Sequence, residues 1–154
     1  MKKEKKNLSL VYIEHVWSVL CASSSIDQTT KNVSLFNILE QLNLNKDQVE
    51  AQKKSDEKLL VPFPFHLVSL WRKVGKGNFG GSMKMEIVDP NDETLGTGES
   101  ALKFEDSKDR FRATFALPAM PITVPGYYSF RVFLKQEGGQ YEKITEIPLQ
   151  VVFN

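Results

Sequence analysis

The feature that most constrains this chain is a two-residue alternation near its end, where Tyr128, Phe130, Val132 and Leu134 alternate with Ser129, Arg131 and Lys135. Successive side chains of a strand point to opposite faces, so this segment is a strand with one face committed to a core. Gly138 and Gly139 follow and supply the positive backbone angles of a tight turn. A second run then places Ile147, Leu149, Val151 and Phe153 on one face, which completes a hairpin. Ile144 is out of phase with that face. An irregularity is therefore expected near Thr145 and Glu146, with Pro148 turned away from the core on an edge or at a bulge.

The same alternation recurs upstream. Phe111, Ala113, Phe115 and Leu117 form one such series, and Met83, Met85 and Ile87 another; both predict strands buried on one face. A weaker strand covers Ser100 to Glu105, reached through Asp89, Pro90, Asn91 and Asp92, residue types that favour a turn. Between Leu60 and Trp71, the residues Val61, Phe63, Phe65, Leu67 and Trp71 share a side, opposite Pro62, Pro64 and His66. Proline cannot donate to a strand ladder, so the first half of this segment belongs at a sheet edge. The first strand runs from about Leu10 to Ser24 and leads through the polar turn Asp27 to Asn32 into Val33 to Leu42. There Leu35, Ile38, Leu39 and Leu42 fit helical spacing while Val33, Leu35, Phe36 and Ile38 suit a strand, and periodicity leaves both open. From Asn43 to Lys58 the composition is polar, as in a solvated loop or short surface helix inserted between strands. The expected fold is an all-β antiparallel β-sandwich, immunoglobulin-like or C2-like, of about seven to eight strands.

A length of 154 residues suits one domain with a sizeable core, here expected over residues 8–154 behind a disordered basic tail at 1–7. With 41% apolar and 25% charged residues, neither a disordered chain nor a disulfide scaffold is favoured. The 20 basic and 19 acidic residues nearly cancel, which removes the electrostatic footprint of a general nucleic-acid binder. Lys2, Lys3, Lys5 and Lys6 before the run Leu8 to Ala22 imitate a secretory signal. Glu14 and His15 interrupt its apolar region, however, and Leu20 stands where a lipoprotein cleavage site needs a small residue. No stretch approaches the length of a membrane span. The single Cys21 sits among Trp17, Val19 and Leu20 as a small buried hydrophobe, and a reduced cytoplasmic location is expected.

Catalytic parts are scarce. Gly75, Gly77 and Gly80 have G-x-G-x-x-G spacing, but a strand follows where a dinucleotide-binding loop needs a helix, so a flexible hairpin connection is expected. His15 lies in phase with Val11, Ile13, Trp17 and Val19 and reads as a hydrogen-bonded core histidine, whereas His66 shares a phase with prolines and reads as exposed or edge. Cys21 paired with either histidine stays open, without a recognisable nucleophile context. Asp89, Asn91, Asp92 and Glu93, joined by Glu105, Asp106 or Asp109, supply oxygen ligands of the kind calcium prefers. The metal candidates are Asp89, Asp92 and Asp109, set against the plainer view that turns favour these residues. Trp71, Arg72 and Lys73, near Lys76, combine a stacking ring with positive charge beside the glycine loop, and with Asn78 and Phe79 they are the candidate binding residues. No cofactor is expected.

The segments Val19-Leu20-Cys21 through Asn32-Val33-Ser34-Leu35-Phe36, Pro62-Phe63-Pro64-Phe65-His66-Leu67-Val68, and Pro125-Gly126-Tyr127-Tyr128-Ser129-Phe130 with Glu146-Ile147-Pro148-Leu149 resemble those of a known family. It is a family of small uncharacterised bacterial proteins with a C2-like or immunoglobulin-like sandwich. The resemblance implies that Val33 to Leu42 is a strand and implies no activity, because the segments determine fold rather than chemistry. The functional expectation is a non-enzymatic intracellular binding module with a protein partner, a second copy of the chain among the options. Nucleic acid and membrane are not expected. The alternatives are a metal-dependent or histidine-based enzyme, or a small-ligand binder.

Overall fold

A computed structural model describes residues 10–53 and 58–154, so the basic tail expected at 1–7 lies outside the described residues. In chain order the elements are β1 (Tyr12–Ile26), β2 (Val33–Ile38), β3 (Gln41–Leu44), α1 (Lys46–Gln52) and β4 (Leu59–Val74). They continue as β5 (Phe79–Val88), β6 (Thr94–Phe104), β7 (Arg110–Ile122), β8 (Gly126–Gln136) and β9 (Tyr141–Phe153). They form a four-stranded sheet, β2-β1-β4-β7, packed on a five-stranded sheet, β3-β9-β8-β5-β6. The expected sandwich is present, with nine strands among the described residues. Its pairing departs from expectation at one place, where β3 runs parallel to β9. The chain crosses from the edge of one sheet to the edge of the other between Ile38 and Gln41, and a crossing leaves β3 no freedom to reverse.

The core is built by the predicted alternation. Met83, Met85 and Ile87 of β5, Tyr128, Phe130, Val132 and Leu134 of β8, and Leu149 and Val151 of β9 face Phe65, Leu67 and Trp71 of β4. Phe65 meets Phe130 across the sheets edge-to-face, with centroids 5.7 Å apart. The Tyr128 hydroxyl is tied to the chain four residues upstream, donating to the Val124 carbonyl at 2.7 Å and accepting from the Thr123 N–H at 2.8 Å. A buried tyrosine fastening the preceding turn is the corner device of Greek-key sandwiches.

In the closing hairpin, Val132 pairs with Thr145 and Phe133 with Lys143, so Ile144 is the extra residue of a bulge beside the expected position. Pro148 is exposed and pairs with Ser129, just short of where β3 begins to cover β9 at Gln150. A matching bulge lies in β1, where His15 pairs with Trp71 and Trp17 with Leu70, leaving Val16 extra. Both bulges fall on stretches with a neighbour on one side only. They interrupt ladders that would otherwise be open to edge pairing. The prolines of β4 behave as expected, since β1 leaves β4 at the Cys21–His66 pair and only β7 flanks Leu59 to Phe65.

The segment left open between helix and strand is two strands in different sheets, separated by Ile38 to Gln41, with Asn37 in the left-handed region at φ 53°. The polar insert contains α1, whose cap Asn45 accepts from the Gln48 N–H at 3.0 Å and whose Val49 is buried. It packs beside Leu59 and Val61 at one end of the sandwich, away from the outer face of the five-stranded sheet. That face carries ion pairs instead: Lys84 with Glu86 at 3.3 Å, and Arg131 with both Asp92 and Glu146. The Lys84 ammonium also lies 4.4 Å from the Phe133 ring centroid.

Beyond Cys21, β1 pairs with β2 alone, and the resulting two-stranded ribbon folds over the outer face of the four-stranded sheet. Ser24 Oγ lies 3.3 Å from His66 Nδ1, and Arg112 Nη2 reaches the Lys31 carbonyl in the ribbon tip at 3.5 Å. Ala22, Ser24, Val33 and Leu35 are half-buried on the inner side of the ribbon, while Ser23, Ser25, Ser34, Phe36 and Ile38 are exposed on the other. The small residues Ala22 and Ser24 permit the close approach. Cys21 and Val68, which point away from the sandwich core, are nevertheless fully buried beneath it.

Candidate functional site

The five binding candidates occupy separate environments. Trp71 is fully buried, with its ring 5.0 Å from His15, and cannot stack on a ligand; its place in phase with Phe65 and Leu67 commits it to the core. Lys73 is 4% exposed. Its Nζ donates to the carbonyls of Gly77 at 2.6 Å, Glu105 at 2.9 Å and Asp106 at 3.4 Å, which commits its hydrogens to backbone. Arg72 is exposed on the outer face and bonds Glu14 through Nε at 3.0 Å. Asn78 accepts from the Asp106 N–H at 2.8 Å, and Phe79 packs against the core while lining, with Asn78, an open hollow of about 310 Å³. The glycine loop is not a hairpin: it carries the chain from β4 in one sheet to β5 in the other, with Gly75 and Gly77 at φ 102° and 98°. Lys73 fastens that crossover to the β6–β7 loop.

The metal candidates also separate. Asp89 and Asp92 follow the end of β5, while Asp109 precedes β7 at the opposite end of the ladder, where Phe79 pairs with Phe104. Ten residues of β5 put these ends about 33 Å apart, so Asp109 cannot join the other two. Asp89 is buried and its oxygens are taken: Oδ1 accepts the N–H groups of Asn91 and Glu93, and Oδ2 accepts Thr123 Oγ1 at 2.6 Å. Asp92 pairs with Arg131 at 2.8 Å. Among the described residues no group of three or more metal-ligating side chains is gathered. The turn chemistry accounts for the acidic residues.

His15 is half-buried and hydrogen-bonded, with Nε2 2.7 Å from Ser18 Oγ, which in turn lies 2.6 Å from the buried Ser69 Oγ. Burial lowers its pKa, with contact to the Trp17 backbone opposing. His66 is neither exposed nor at an edge: it is half-buried under the ribbon, directly opposite Cys21 in the ladder. Burial pushes the Cys21 thiol up, the reverse of what a thiolate nucleophile needs. Among the described residues no carboxylate hydrogen-bonds either imidazole, so neither has the orienting third group of a nucleophile–base system.

Two further hollows are lined by residues outside the candidate set. An apolar groove of about 310 Å³ lies between the sheets where their edges are open, lined by Val19, Leu20, Ile38, Leu39, Tyr127 and Ile147, with Ser18, Glu40 and Pro148 at its margin. Ile38 is 56% and Tyr127 64% exposed, and Phe36, two residues along the same side of β2, is 52% exposed. Phe36 and Ile38 suit a strand in the sequence, but nothing in the pattern marks their shared side as exposed. The second hollow, about 240 Å³, lies beneath the ribbon tip and is lined by Thr30, Lys31, Asn32, Leu70, Arg110 and Arg112. No sequence signal joins these residues, because the ribbon brings together positions 81 apart.

No family model matches the chain, and no curated protein matches it. Among solved structures it is similar to a glycosyl hydrolase family 2 member from Bacteroides cellulosilyticus, with a TM-score of 0.45 and 16% identity over 63% of this chain. It is also similar to a β-glucosidase from Listeria innocua, with a TM-score of 0.44 and 12% identity over 94% of this chain. The chain spans 14% and 16% of the lengths of those two proteins. Similarity at this level carries nothing about function. Among the described residues no helix is long and apolar enough to cross a membrane.

Proposed function

We propose that this chain is a non-enzymatic intracellular interaction module that takes an extended apolar segment of a partner protein into the groove between β1 and β9. The observation that carries the reading is the clustering of exposed Phe36, Ile38 and Tyr127 at and beside one concave apolar site. Contiguous exposed apolar surface of this kind marks interaction sites. An extended segment is favoured because the groove runs beside unpaired strand: β2 covers β1 only from Cys21 onward, and β3 covers β9 only from Gln150 onward. The bulges at Val16 and Ile144 block edge pairing farther up, which confines an added strand to the stretch beside the groove. About four residues fill that stretch at the rise of a strand. The lone buried Cys21 suits a reduced compartment.

Display of random peptides on the purified chain tests this. Enriched peptides should be apolar and extended, and Ile38→Asp should weaken them at least tenfold while leaving the melting temperature within about 1 °C, as for an exposed position. Peptides unaffected by Ile38→Asp, or none enriched, would sink the proposal. Self-association abolished by the same substitution would assign the groove to a second copy instead.

A histidine-based hydrolase is the second reading, favoured by the Ser18–His15 hydrogen bond at the margin of the groove. It predicts that a fluorophosphonate labels Ser18. The interaction module predicts no label, since among the described residues no carboxylate stands behind the histidine of Ser18.

A further inference from the structure

The hollow beneath the ribbon tip has a composition that a solvated surface does not explain. Among the described residues its lining presents three cations, Lys31, Arg110 and Arg112, with the polar side chains of Thr30 and Asn32 and no carboxylate. Among the described residues none of the three cations forms an ion pair, although Arg72, paired with Arg110 in the β4–β7 ladder, is neutralised by Glu14. Asp27, the nearest carboxylate in the tip sequence, is turned to its own backbone, accepting the N–H groups of Thr29 at 2.9 Å and Thr30 at 2.6 Å. Those bonds hold its carboxyl below the usual range and fix the tip conformation, in which Lys31 adopts φ 63°.

Arg112 is the telling residue. Its Nε is buried and has no hydrogen-bond partner among the described residues, and Nη2 makes one long contact of 3.5 Å to the Lys31 carbonyl. A guanidinium carries five donors in a fixed fork that matches carboxylate and phosphate oxygens, and buried donors of native proteins are ordinarily satisfied. A donor left unpaired beside a hollow with two further cations has the form of an unfilled anion site.

We infer that this hollow binds a phosphate-class oxyanion, held by the Arg112 fork and by the charges of Arg110 and Lys31, with Thr30 and Asn32 supplying the tip side of the contact. The hollow holds several times the roughly 30 Å³ that one water occupies in liquid, so a phosphate group fits with room for part of its carrier. Three cations without a counter-charge favour a dianion over a monocarboxylate. Because Thr30, Lys31 and Asn32 belong to the ribbon while Leu70, Arg110 and Arg112 belong to the sheet, the bound anion bridges the two and pins the ribbon down. The site is separate from the apolar groove, and neither depends on the other.

Titration of the ¹⁵N-labelled chain with inorganic phosphate at constant ionic strength tests the inference. Saturable shifts are expected at the Thr30 to Asn32 amides and at Arg112 Nε–H. O-phosphoserine and adenosine monophosphate, titrated in parallel, separate an amino-acid carrier from a nucleotide carrier, and acetate should bind at least tenfold more weakly than phosphate. Arg112→Gln should weaken phosphate at least tenfold, Arg112→Lys by less, and Arg72→Gln should have no effect. The spectra of the variants report directly whether each is folded, and the lysine variant keeps the test meaningful if Arg112→Gln unfolds. Shifts that fail to saturate, that spread equally over Arg72 and Lys84, or that persist unchanged in both Arg112 variants would overturn the inference.

Discussion

Replacing Lys73 with Met should cost stability rather than binding. Met nearly matches the length of the lysine stem, so packing is retained while the three hydrogen bonds from Nζ to Gly77, Glu105 and Asp106 are removed. Bonds from a charged donor contribute about 1.5–3 kcal/mol each when isolated. The third is long, the freed carbonyls of exposed Glu105 and Asp106 regain water, and relief of ammonium burial offsets part of the loss, so a net cost of about 2–4 kcal/mol is expected. For a chain of this size that lowers the melting temperature by about 4–16 °C. Urea unfolding and calorimetry measure the global effect, with exposed Lys76→Met as the control. Hydrogen exchange supplies a local readout: the Gly77 N–H, bonded to Asp106 Oδ1, and the Asp106 N–H, bonded to Asn78 Oδ1, should lose protection before the core strands do. A melting temperature within about 1 °C of wild type, with both amides still protected, would refute the claim that Lys73 fastens the two loops.

Three further outcomes follow from the geometry. Burial holds the His15 pKa below its ordinary 6.5, so the unfolded chain binds the proton more readily; this share of stability is full above about pH 6.5 and is lost as pH falls below it. Urea midpoints between pH 8 and 5.5 should fall more for wild type than for His15→Gln, and equal slopes would count against the assignment. Cys21 should react with a thiol reagent far more slowly than a free thiol, because the ribbon covers it and burial raises its pKa; rapid labelling of the wild type would contradict the covered position. Gly81→Ala should destabilise by about 1–3 kcal/mol, since the new Cβ would clash with the Lys135 carbonyl oxygen and lie 2.8 Å from Ile13 Cδ1, while Gly80→Ala, meeting nothing closer than 3.5 Å, should change the urea midpoint little.

Much of the sandwich was legible because it rests on local alternation. The face of β8, the bulge near Thr145 and the outward Pro148 all follow from which residues break or keep a period of two. What the sequence left hidden depends on contacts between distant segments. Lys73 is a binding candidate in the sequence because lysine at a strand end ordinarily presents its charge to solvent, and only the arrival of Glu105 and Asp106 from another loop turns it into a buried clasp. The helix-or-strand ambiguity of Val33 to Leu42 arose because two short strands in different sheets, joined by a crossing, superimpose a false helical spacing. The acidic candidates failed for a related reason: Asp89 and Asp109 are near in sequence, yet an antiparallel pair of strands carries them to opposite ends.

The ribbon explains why the chemistry of this chain lies where residue types alone did not point. A sandwich with an open outer face would expose Cys21, His66 and Val68, an apolar and reactive strip on β1 and β4. Folding the β1–β2 ribbon across that strip buries it, but the ribbon is only two strands wide and its inner residues Ala22, Ser24, Val33 and Leu35 are only half-buried, so its hold on the sheet is modest. The described contacts at its tip are one long hydrogen bond from Arg112 and a hollow lined by unneutralised cations, whose mutual repulsion opposes closure. An anion in that hollow would reverse the sign of the tip electrostatics and tighten the ribbon, and the reactivity of Cys21 reports the result. Phosphate should therefore slow thiol labelling in wild type and leave it unchanged in Arg112→Gln. Equal slowing in both proteins would mean that the anion acts elsewhere, and the tip would then be held by packing alone.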